Sequence, residues 1–193
     1  VKERPILMSA PMVRAILAGT KTQTQTRRAV KVRQALEWLG PDGFAPGYVA
    51  HPENHLCPYG APGDRLWVRE AWRTTGDDGR ADCLPPRELQ PYWVWYEADG
   101  KAPAHKLVGK LRPSIHMPGW ASRITLEITE VRLERLQDIT RGDAIEEGCP
   151  FHNMATGEEA RDWYAQLWNS INGAGAWDAN PWTWVISSRK VTK

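Results

Sequence analysis

The sequence lacks most of the features that assign a chain to a class at a glance. Its three cysteines, Cys57, Cys83 and Cys149, are an odd number with no framework spacing, which excludes a disulfide-stapled scaffold and predicts reduced thiols. No long apolar run or leader pattern is present, so the expectation is a cytoplasmic chain with no membrane span. A net charge of +2 on 193 residues is too small to demand a nucleic-acid partner by itself. There is no glycine-rich phosphate loop, no βαβ rhythm and no internal repeat, which argues against a doubly wound nucleotide fold. Phenylalanine is almost missing, with two residues against eleven tryptophans.

That imbalance is informative. Tryptophan combines apolar area with an N–H handle and a broad π face on which bases stack, although most of the eleven are expected to fill a core. Arginine outnumbers lysine and offers a planar fork for phosphates and base edges. The length suits one domain with elaborations, large enough to bury a proper core.

Pattern gives the order of elements. Ser9, Pro11 and Gly19 bracket a short helix whose apolar face is Met12, Val13, Ile16 and Leu17. A second short helix is expected over 29–39, a covering loop over 40–62, a strand over 66–73, and insertions within 74–113 around a short aromatic strand at 92–96. The longest strand spans 121–133, with Ile124, Leu126 and Ile128 facing one way and Thr125, Glu127 and Thr129 the other. Thr140 with Asp143 and Thr156 with Glu159 open two helices, Gly148 stops the first, and the second buries Ala160, Trp163, Tyr164, Leu167, Trp168 and Ile171. A closing strand covers 181–191. Strands separated by helices in this way predict an α+β fold built on a partly open barrel.

The richest segment runs from Gly19 to Arg28, GTKTQTQTRR. A lysine leaves a helix end, Thr and Gln alternate, and two arginines follow. The alternation predicts an extended strand that sets hydroxyls in one row, so an ammonium, hydroxyls and guanidinium groups converge on a polar ligand. A solvated edge strand with gatekeeper charges is the alternative. This segment resembles the signature of the ASCH family, a branch of the PUA-like barrels, in which a helix precedes G-x-K-x-x-T-x-R. Gly63-Asp64-Arg65-Leu66-Trp67-Val68 resembles the family's Gly-Asp turn, and LQDITRGDAIEEG from Leu136 to Gly148 resembles the helix after its central strand. The wording of 114–124 and 180–185 is similar to the longer ASCH proteins of prophages.

The resemblance implies one ASCH-like domain over 1–193. It also implies a site like that of the family's small amidohydrolases, which deacetylate 4-acetylcytidine without metal or cofactor. Lys21 and Thr24 fall on the lysine and threonine of that site and Glu147 on its glutamate. The lysine would take a proton from the threonine hydroxyl or a water, and the glutamate would pass one to the exocyclic amine. Thr-Gln occurs twice here where the family has Thr-Gln-Thr once, so Thr26 competes with Thr24 for the hydroxyl role. The two extra residues are expected to form a bulge or a longer loop near 23–25.

Other candidates are graded by chemistry. Glu147, beside Glu146 at a helix C-terminus, faces a negative dipole end that raises its pKa. Thr26, Arg27, Arg28, Trp67, Arg69, His116, Trp120 and Arg123 are the candidates for holding a modified nucleoside, RNA or DNA. His51, His55 and Cys57 have a zinc-like spacing, but Pro52 and Pro58 interrupt it and no second ligand pair exists, so no metal site is expected. Two function classes stand: a hydrolase of an acylated cytidine, with a ribonuclease as a variant, and a non-catalytic reader of RNA or modified DNA.

Overall fold

The first helix places the signature strand. In the computed structural model, which describes residues 1–26, 46–75, 80–89, 93–102, 107–150 and 156–191, helix α1 spans Ala10–Leu17. Val13 and Ile16 are buried and Met12 packs against the core, whereas Leu17 is exposed, so the apolar face is narrower than its pattern suggests. Ser9 holds the N-cap position in extended backbone, but its hydroxyl makes no capping bond. Gly19 turns the chain at φ +76°, a conformation open to glycine, and Lys21 leads into strand β2, Gln23–Thr26. The helix expected over 29–39, together with Arg27 and Arg28, lies outside the described residues.

Strands β1 (Glu3–Leu7), β3 (Arg65–Arg69), β6 (Thr125–Arg135) and β7 (Trp182–Val191) join β2 in a five-stranded sheet of order β1-β3-β6-β7-β2. The β1–β3 pair is parallel and the others antiparallel. A two-stranded sheet pairs β4 (Trp72–Thr75) with β5 (Trp93–Tyr96). The fold is therefore mixed α+β, and among the described residues no sheet closes into a barrel. Among the described residues, strands β1 and β2 are the two edges of the larger sheet.

Three expectations are corrected. The single strand read over 66–73 is two strands in different sheets, broken at Glu70 and Ala71, where Glu70 turns inward to a bidentate bond with Arg123. The repeated Thr-Gln makes no bulge: Gln23 to Thr26 pair in unbroken register with Ser187 to Trp184, and the one irregularity of the β6–β7 ladder falls between Ile128 and Glu130. Because side chains alternate with a period of two, the repeat keeps Gln23 and Gln25 on one face of the strand and Thr24 and Thr26 on the other. The described part of the covering loop contains helix α2, Pro46–Ala50, and a 3₁₀ turn at Pro52–Asn54.

The two capping boxes form as expected, because each depends only on residues three apart. They open α3 (Arg141–Glu146) and α4 (Gly157–Asn172). Gly148 ends the α3 turn at φ +101°, and a Cβ there would stand 3.2 Å from that of Ala15. Glycine is thus required both for the turn and for the approach of α1. Ala160, Tyr164 and Trp168 of α4 are buried with Leu136, Ala144 and Cys149, Trp163 and Leu167 are half-buried, and Ile171 is exposed. The main core packs Ile6, Val13, Leu66, Val68, Ile124, Leu126, Ile128 and Trp184 between the sheet and α1. Each such side chain contributes about 1.5–3 kcal/mol of burial. A third cluster, with Trp72 and Met117, lies under the small sheet.

Candidate functional site

The edge position of β2 leaves backbone groups facing away from β7, and the chain meets them with side chains. Lys21 is 5% exposed and its ammonium donates to Gln23 O at 2.7 Å, to Glu147 O at 3.1 Å and to Glu147 Oε2. The other carboxylate oxygen, Oε1, accepts the backbone N–H of Gln25. Thr22 N donates to Glu146 O at 2.9 Å, so the end of α3 docks along the strand. A buried pair of this kind persists only where further hydrogen bonds satisfy both ions, which is the case here.

Behind the pair stands a second polar layer. Gln23, fully buried, donates from Nε2 to Asp143 Oδ1 at 3.1 Å and accepts from Arg132 at 3.2 Å. Arg132 also bonds Asp143 at 3.0 Å and Glu134 at 2.9 Å. Burial opposes ionisation of Asp143, but hydrogen bonds from Thr140 and Gln23 and the Arg132 charge hold its carboxyl below the usual range. Asp143 therefore caps α3 and braces β2 at once.

In front of the pair lies a cleft of about 500 Å³. Pro5, Ile6 and Leu7 of β1 form one wall and Thr24, Gln25 and Thr26 of β2 another, so the cleft occupies the seam between the two sheet edges. Tyr164, Leu167, Trp168 and Ile171, spaced three and four apart on α4, line a third side, and Met8 and Met12 add apolar surface. Glu147 opens onto this space, while Lys21 stands behind it with 1% of its side chain exposed. Burial pushes the Glu147 carboxyl above the ordinary glutamate range, against the pull of Lys21 and the Gln25 N–H. The direction agrees with the expectation from the helix end, but the cause is burial. Tyr164, buried and hydrogen-bonded to Glu147, has its hydroxyl pushed well above its ordinary value by burial and by that charge, so it stays a proton donor.

Lys21, Thr24, Thr26 and Glu147 are thus brought to one place. The protons of the Lys21 ammonium go to oxygens of Gln23 and Glu147, and its bonds include no threonine hydroxyl. Gln25 and Tyr164 are cleft residues that sequence reasoning missed. Tyr164 was visible only as one member of an apolar stripe, and Gln25 only as a spacer between threonines.

Of the remaining candidates, the described ones (Trp67, Arg69, His116, Trp120 and Arg123) lie outside the cleft lining. Arg69 stacks its guanidinium 4.6 Å from the Trp67 ring centroid and donates to Ile115 O at 3.1 Å. In the parallel β1–β3 register Trp67 is beside Pro5 and Arg69 beside Leu7, one strand from the cleft wall. Trp120 packs edge-on against Trp72, with centroids 6.0 Å apart. Arg123 is engaged by Glu70, by Asp99 at 2.7 Å and by the Tyr96 ring at 3.9 Å, which makes it a brace between the sheets. His116 is exposed beside a shallow hollow with Cys83, Pro85 and Arg112. His51, His55 and Cys57 line a crevice of about 40 Å³ with Arg4 and Asp64, and among the described residues no three potential metal ligands gather.

Fold and site together define an α+β protein with a buried carboxylate lining a cleft set between unclosed sheet edges. No family model, no curated protein and no solved structure matches the chain.

Proposed function

We propose that the chain is a nucleoside-binding hydrolase of the ASCH, PUA-like kind, which removes an acyl group from a modified cytidine. The observation that carries this reading is a buried carboxylate at a cleft whose strand wall bears two threonine hydroxyls. A cleft of about 500 Å³ has room for a nucleoside, and its apolar sides suit the faces of a ring. In the reaction a water attacks the acyl carbonyl and gives its proton to Glu147. The C–N bond then breaks as Glu147 returns that proton to the exocyclic nitrogen, releasing cytidine and the carboxylic acid, which ionises by giving its remaining proton to solvent. Lys21 and the Gln25 N–H hold the carboxylate in place, and Thr24 or Thr26 orients the water. Lys21 is therefore a positioning residue in this scheme.

The test is incubation with N(4)-acetylcytidine, free and within RNA, followed by mass spectrometry. Deacetylation is expected, and Glu147→Gln should lower kcat by roughly 10²-fold or more. A second reading, a non-catalytic module that binds RNA or modified DNA, is favoured by the Lys21 ammonium, whose bonds are all to oxygens of Gln23 and Glu147. Tight binding with no turnover by the wild type selects it.

A further inference from the structure

Two buried glutamines sit on one face of β2, and they are treated differently. Gln23 has both ends of its carboxamide bonded, to Asp143 and to Arg132. Gln25, two residues on and only 7% exposed, has no hydrogen-bond partner for Nε2 or Oε1 among the described residues. The hydroxyl of Thr26 and the indole N–H of Trp168 share that state. All three residues line the seam cleft. A buried amide left unmet destabilises the free protein, so four such atoms around one cavity favour an occupant with polar groups of its own.

Its chemistry follows from the lining. Among the described residues the ionised group lining the cleft is the Glu147 carboxylate, which disfavours phosphate and accepts N–H. A carboxamide is planar, with a donor and an acceptor side by side, and matches a partner presenting acceptor and donor on adjacent in-plane atoms. Met8, Met12, Leu167 and Trp168 supply apolar contact for the flat faces of such a partner. We propose that Gln25 is the specificity residue of the cleft, pairing edge to edge with the N3 acceptor and exocyclic N–H donor of a cytosine ring. Binding draws the carboxamide out of the wall by side-chain rotation, and any phosphate stays outside. This assignment rests on the nucleoside reading above and adds the edge by which the base is read.

The experiment is calorimetry with two probes, cytidine and its 4-deamino analogue (pyrimidin-2-one riboside), which lacks the exocyclic donor without added bulk. Wild type should bind cytidine about tenfold more tightly than the analogue. Gln25→Met, of similar length and without polar atoms, should lose about tenfold for cytidine and bind both probes within about twofold. Its urea midpoint should equal or exceed that of wild type, a result that a structural amide would not give. A Gln25→Met variant that keeps the preference, or a wild type that binds both probes equally, overturns the assignment alone. A wild type that binds no nucleoside overturns the nucleoside reading and this assignment with it.

Discussion

Lys21→Met is the most demanding perturbation of this architecture. The Lys21 and Glu147 side chains are 1% and 2% exposed, so removing the ammonium strands a largely desolvated carboxylate. Breaking one partner of a buried pair costs about 3–5 kcal/mol. With a urea m value near ~2 kcal/mol/M, the unfolding midpoint should fall by about 1.5–2.5 M at pH 7. Tryptophan fluorescence reports the transition. The loss must depend on pH with a definite sign. Glu147 already has a raised folded-state pKa from burial, and without Lys21 it rises further. A raised carboxyl contributes its stability below the unfolded value, near 4.5, and loses it as pH climbs through the folded value. The variant should therefore be closest to wild type near pH 4 and furthest from it near pH 8. Adding Glu147→Gln removes the stranded charge, so the double variant should be more stable at pH 7 than Lys21→Met alone. A cost below about 1 kcal/mol, a penalty that does not change with pH, or strict additivity refutes the claim that the pair is buried and coupled.

Two further outcomes are expected. Arg123→Ala leaves Glu70, 1% exposed, without its bidentate partner and should cost about 3–5 kcal/mol in urea unfolding while leaving nucleoside affinity within about twofold. A loss of affinity without loss of stability would restore Arg123 as a ligand residue. Gly148→Ala puts a Cβ 3.2 Å from that of Ala15 at a φ of +101° and should cost about 1–3 kcal/mol by thermal denaturation. A neutral result would mean that α1 does not seat against the α3 turn.

What the sequence disclosed depended on how far apart the interacting residues lie. Thr140 with Asp143 and Thr156 with Glu159 are three residues apart and were legible as capping boxes, and Gly148 was legible as a stop. The meeting of Lys21 with Glu147, across 126 positions, was reached through resemblance, since no local pattern encodes it. The break at Glu70 was hidden because no glycine or proline marks it. It is set by Arg123, 53 positions away. Trp67 and Arg69 were legible as a pair because residues two apart on a strand share a face, but that spacing gives no information about distance from the cleft. The state of Gln25 was out of reach, because an unmet amide is a property of everything around it.

The outward groups of β2 carry a consequence for the molecule among its own copies. A strand with bare N–H and C=O groups is a template for another chain. Here a lysine ammonium takes the Gln23 carbonyl and a glutamate carboxylate takes the Gln25 N–H, so among the described residues an ion pair meets the groups that a neighbour strand would pair with. The residues proposed for chemistry are thus also the guard against self-association. Loss of either residue would therefore bare a pairing edge as well as remove a group of the proposed site.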